Sequence, residues 1–122
     1  MTAFLASYRA AASFARGRFT TVPVGQTPRV RVLLVCLEPG QFIPVHHPSV
    51  DLAIVILEGE GRLVAGEREE QVGPGAVAVV PGDQARGVLA TTRMTALTFV
   101  TPPPTDTDHA EVTEGLRRGR WR

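Results

Sequence analysis

The 122-residue sequence has no lysine and no asparagine, and only one cysteine, one tryptophan and one tyrosine. Without lysine there is neither Schiff-base chemistry nor a phosphate-cradling G-x4-G-K-[ST] loop. The single cysteine, Cys36, excludes an internal disulfide framework and a thiolate metal cluster, and it fits a reducing, cytoplasmic setting. No apolar run approaches the roughly 20 residues of a membrane-spanning helix, so no membrane partner is expected. Net charge is scarce too: 13 basic residues, all arginine, stand against 12 acids. The resulting formal charge of +1 gives no reason to expect a nucleic-acid partner. Acids are missing before Glu38, while Arg9, Arg16, Arg18, Arg29 and Arg31 precede it. Such a stretch can mimic an organellar transit peptide, but Arg29 and Arg31 already fall in a strand-like run. Arg9 interrupts the apolar stretch that a secretory signal would need. No serine, histidine and acid stand at nucleophile-elbow spacing, which leaves acyl transfer unsupported.

What is present is glycine and proline, 12 and 10 of them, in a chain that is 43% hydrophobic and 13.1 kDa. That is a turn-rich globular chain of one-domain size. Residues 2–16 space Phe4, Leu5, Tyr8, Ala11, Ala12 and Ala15 as a helix would, with Gly17 to end it. From Phe19 the pattern changes to short strands. Val30–Leu37, Val50–Leu57, Arg62–Ala65, Glu70–Val72, Ala76–Val80, Gly87–Thr91 and Met94–Thr101 are each bounded by Gly or Pro. This rhythm predicts a β-sandwich or small barrel over 19–101, between a helical extension at 1–18 and a Pro-rich linker and helix at 102–122. Alternation places Leu33, Val35, Leu37, Leu52, Ile54, Ile56, Val77, Val79, Val88, Leu97 and Phe99 inside, and Cys36 on the opposite face. Asp108 and Glu111 have the spacing of a capping box that would start the last helix. His109, Val112 and Leu116 would share one of its faces. Val50–Leu57 is apolar on both faces, so each face needs a cover: a terminal helix or a second subunit. A homodimer is therefore expected. The tail arginines 117, 118, 120 and 122 are either solvated at the helix end or docked on a partner's acids.

The stretch from Pro39-Gly40 through His46-His47-Pro48-Ser49-Val50-Asp51-Leu52 to Gly59-Glu60-Gly61 resembles the first motif of the cupin superfamily, G-x5-H-x-H-x3,4-E-x6-G. Gly40, His46 and Gly59 fall on its fixed positions. Gly75 and Pro81 likewise match the second motif, G-x5-P-x-G-x2-H-x3-N. The resemblance implies an all-β fold: a double-stranded β-helix, the cupin jelly-roll barrel of a small, single-domain, RmlC-like member, here with a short helix at each end. It also implies a divalent metal held by two histidines and a carboxylate of motif one and the histidine of motif two. Those positions are occupied here by His46, Pro48, Leu52 and Arg86, so the metal-binding motifs are degenerate. No metal cofactor is expected.

Strand parity turns residues 46, 48 and 52 inward and sends His47 and Asp51 out. A one-residue bulge near Pro48 would reverse that and assemble an atypical metal site from His46, His47 and Asp51. Such a site would suit a metal-dependent enzyme of the dioxygenase, isomerase or decarboxylase type. Without the bulge, His46, Pro48, Leu52 and Arg86 border a ligand pocket. Arg86 would clamp the carboxylate or phosphate of a small molecule, or else pair internally with Asp83 or Asp51, or reach water at the rim. His46 is either a general base, acting on a sugar-like or oxo-acid substrate, or a structural hydrogen-bonder.

Overall fold

The computed structural model describes residues 2–122; Met1, the first residue of the expected extension, lies outside them. Nine strands form two antiparallel sheets among the described residues. In chain order the elements are α1 (Tyr8–Ala11), β1 (Thr20–Gln26), β2 (Arg31–Leu37), β3 (Phe42–His46), β4 (Asp51–Glu58), β5 (Gly61–Ala65), β6 (Arg68–Val72), β7 (Val77–Val80), β8 (Arg86–Ala90), β9 (Met94–Thr101) and α2 (Asp106–Arg118). The five-stranded sheet runs β1-β2-β9-β4-β7 and the four-stranded sheet β3-β8-β5-β6. This is the expected all-β jelly roll with a short helix at each end. The core between the sheets is built from Val35, Leu37, Leu52, Ile54, Ile56, Leu63, Val80, Val88, Met94 and Ala96, with Phe19 closing one end.

Two strands are not individually legible in the sequence. Pro23 interrupts β1 and Pro44 interrupts β3, and proline cannot donate to a ladder. Both strands are sheet edges, where one backbone side needs no strand partner, so proline is tolerated.

Four of the residues expected inside are outside. Val77, Val79 and Phe99 are exposed, and Leu97 lies on the same outer face. The register explains why: Ile54 is in the core and pairs with Thr98 and Ala78, so those two point inward with it. Leu97, Phe99, Val77 and Val79 pair with Val55 and Ala53 on the other face. Thr98 is buried without an orphaned hydroxyl, because it donates to the Leu33 carbonyl at 3.1 Å. Both faces of β7 and β9 carry apolar groups, so size alone pointed the wrong way.

The first helix is a single turn rather than the span 2–16. So short a helix has little stability of its own, and tertiary contacts fix the rest of the segment. The Thr20 hydroxyl donates to the Ser13 carbonyl, and the Gln41 amide donates to those of Ala15 and Arg16. Phe14 lies under the Arg93 guanidinium, 3.6 Å from its ring centre. The segment thus crosses the outer face of the five-stranded sheet, where Leu34 and Cys36 are completely buried. Cys36 is the small buried hydrophobe that parity predicts.

The last helix begins one turn earlier than the Asp108–Glu111 spacing suggests. Thr105 is the N-cap, and Asp108 is its N3 partner, accepting from the Thr105 backbone N–H at 2.9 Å. Gly115 lets α2 sit directly on β3, since a Cβ there would lie 2.4 Å from Pro44. Val112 and Leu116 pack against the core, whereas His109 is an exposed residue on the helix. Beyond the helix, the Val45 N–H donates to the Trp121 carbonyl at 2.7 Å. The indole covers Gly87 on the outer side of the four-stranded sheet. Of the tail arginines, Arg117 and Arg118 pair with Glu114 and Arg122 pairs with Glu69, all within the chain.

Candidate functional site

His46 ends β3 and Arg86 opens β8, and the two are register partners across these antiparallel strands. Opposed residues of an antiparallel pair point to the same face. Arg86 shares that face with Val88 and Ala90, both of the core, so this cation enters the barrel and is only 4% exposed. Its Nη2 donates to the Pro81 carbonyl at 2.9 Å and its Nε to the Gln84 carbonyl at 3.4 Å. The expected internal partners, Asp83 and Asp51, make no ion pair with it among the described residues. Burial lowers the pKa of Arg86 from its ordinary value, against the opposing fields of Asp51, Asp108 and Asp83. The guanidinium nevertheless stays a cation at any physiological pH.

His46 is oriented from below. Its Nδ1 lies 2.7 Å from the Pro44 carbonyl. A carbonyl can only accept, so Nδ1 carries the hydrogen and, in the neutral ring, Nε2 is an acceptor. Burial lowers the His46 pKa and the Arg86 charge adds to that; the Pro44 and Arg86 carbonyls and Glu111 oppose it. At neutral pH the site therefore pairs a permanent cation with an uncharged imidazole.

Pro48 and Leu52, the other two residues expected at the pocket, are buried beside these groups. Together the four border a cavity of about 150 Å³, walled by apolar side chains such as Val35, Ile54 and Val88. Its roof is α2, through Asp108, His109 and Val112. A larger open groove of about 650 Å³ runs between β6 and β7, but neither His46 nor Arg86 reaches it.

His47 and Asp51 do not join them. A bulge does occur in β3, but between Ile43 and His46 rather than near Pro48. The His47 ring turns out to Glu111 at 3.0 Å, and Asp51 accepts from the Gly82 N–H at 2.8 Å. The atypical metal site of His46, His47 and Asp51 is therefore not assembled. Among the described residues no three His, Cys, Asp or Glu side chains stand together as metal ligands. The metal that the fold family implies does not fit this donor set. Two aliphatic side chains cannot coordinate it, and Arg86 would repel it.

Sequence reasoning missed the anchoring role of α2. Asp108 Oδ1 accepts from both the backbone N–H and the hydroxyl of Ser49, each at 2.8 Å. Glu111 Oε1 accepts from the His47 N–H at 2.8 Å. The helix thereby holds the N–H groups on either side of Pro48, which has none, and Pro48 is left to face the cavity. The hydrogen bonds from Thr105 and Ser49 keep the Asp108 carboxyl well below the usual carboxylate range. Asp83 was missed as well. It occupies the motif-two glycine position and has the left-handed φ of 69° that glycine would adopt freely.

Comparison with known proteins agrees with this architecture. The family described as "Cupin domain" matches residues 33–101. The chain belongs to this family. A structure of TT1209 from Thermus thermophilus is 28% identical, with TM-score 0.78, over 84% of this chain and 100% of that one. An RmlC-like cupin from Desulfovibrio desulfuricans is 34% identical, with TM-score 0.69, over 76% of this chain and 91% of that one. KdgF from a Halomonas species shares the fold at 16% identity and TM-score 0.74, over 88% of this chain and 99% of that one. None of the curated proteins matches the chain in sequence. No helix among the described residues is long and apolar enough to cross a membrane.

Proposed function

We propose that this cupin binds a small anion, a carboxylate on a short apolar body, inside the barrel and without a tightly held metal. The observation that carries the reading is Arg86: a buried cation on a cavity wall, tied to two carbonyls but to no carboxylate. A buried guanidinium is costly without an anion, and a carboxylate complements its planar fork. The cavity is on the order of that which holds a benzene-sized molecule, so it suits a short acid rather than a nucleotide or sugar phosphate. His46 and Arg86 supply the polar contacts from the strand side, beneath the roof of α2; Pro48 and Leu52 supply apolar wall in place of ligand atoms.

Titration of a series of short carboxylates and inorganic phosphate into the protein, followed by calorimetry, tests this. Saturable binding of a carboxylate that Arg86→Met abolishes is the expected result. No saturable binding across the series overturns the reading. So does stoichiometric Fe, Mn, Ni or Zn in protein purified without a His-tag, if that metal disappears in His46→Ala.

A further inference from the structure

Among the polar groups that border the cavity, which also include Thr21, Thr98, Asp108 and His109, the register partners Arg86 and His46 differ in kind, and the difference selects among anions. Resting on the anion reading above, we propose that the preferred ligand is a small hydroxy acid: its carboxylate on Arg86 and its hydroxyl donating to His46 Nε2. The Pro44 carbonyl takes the only hydrogen that a neutral imidazole carries, so Nε2 offers a lone pair and nothing else. The hydrogen bond described for the ring is at Nδ1, and no donor among the described residues is bonded to Nε2. Arg86 offers only donors. A ligand that complements both has an acceptor anion at one end and a donor a short distance away. Side chains on opposed strand residues start about 5 Å apart, so a carboxylate held by one and a hydroxyl held by the other belong on neighbouring carbons of a short ligand. A plain fatty acid of the same size leaves Nε2 buried without a donor, and an acid with a keto group puts an acceptor against an acceptor. Sites built to hydrogen-bond a hydroxyl discriminate against analogues that lack it.

The test compares butanoate, 2-oxobutanoate and 2-hydroxybutanoate by calorimetry on the full chain at pH 7.5. The hydroxy acid is expected to bind roughly tenfold tighter than butanoate, the value of one hydrogen bond. His46→Phe is expected to erase that preference while butanoate binding persists, and His46→Gln, which keeps an acceptor, to restore part of it. Equal binding of the acids by the wild-type protein overturns the hydroxy-acid assignment and leaves the anion reading standing. A preference that survives His46→Phe also overturns it. If no acid binds the wild-type protein, the anion reading fails and this inference fails with it.

Discussion

Arg86 replaces a metal ligand with a fixed cation, and His46 survives from the same motif as a neutral acceptor. The substitution Arg86→Met separates binding from stability. Arg86→Met removes the cost of burying a cation but takes the donor from the Pro81 and Gln84 carbonyls, so its melting temperature is expected close to that of the wild type, while anion binding is lost. Thermal unfolding with and without ligand checks both halves. His46 sets a pH dependence of known sign. Its folded pKa lies below the unfolded value, so the unfolded chain takes up the proton first and the stabilisation is complete only above about pH 6.5. Stability is expected to fall as pH drops from about 6.5 toward the folded pKa, and His46→Gln to flatten that slope in urea unfolding between pH 7.5 and 5. At this scale the sequence was informative about identity and parity: His46, Pro48, Leu52 and Arg86 face one cavity, and His47 and Asp51 turn away. It could not supply the partners of Arg86, because the carbonyls of Pro81 and Gln84 are brought there by the turn and not by any side-chain pattern.

Helix α2 is the element that closes the site. Its carboxylates hold the loop after His46, and its Gly115 and the tail's Trp121 fit against Pro44 and Gly87 with no room to spare. Trp121 is the only tryptophan, so its emission reports docking of the whole segment. Asp108→Asn weakens both the cap and the Ser49 tie, at a cost of about 1 kcal/mol. Gly87→Ala places a methyl 3.1 Å from the indole Nε1 and 2.7 Å from Val45. Both variants are expected to shift Trp121 emission to the red, Gly87→Ala the more. Asp108 and Glu111 have folded pKa values below the ordinary ones, so the stability they confer is present above about pH 4 and is lost as pH falls further. The amphipathic pattern of 106–118 announced a helix, but its landing place depends on contacts some 60 residues away in sequence, between Asp108 and Ser49 and between Glu111 and His47.

At the scale of the whole molecule, two sheets bury one core, and each terminus covers a surface the barrel alone would leave bare. The strand rhythm and the motif glycines made the jelly roll legible because they mark turns that any such barrel needs. The N-terminal helix is shorter than its alanine spacing suggests, since that spacing measures local preference, and hydrogen bonds from Thr20 and Gln41 override it. The inward residues of β7 and β9 escaped because both of their faces are apolar and only the pairing with β4 decides between them.

The central claim is that this cupin barrel offers an anion a cation and an acceptor in place of a metal. A crystal structure with 2-hydroxybutanoate bound at pH 7.5 tests it most directly. The account predicts the carboxylate on the Arg86 guanidinium and the hydroxyl within hydrogen-bond distance of His46 Nε2. A metal ion coordinated by His46, or the acid bound outside the cavity with Arg86 still tied only to the Pro81 and Gln84 carbonyls, would contradict it.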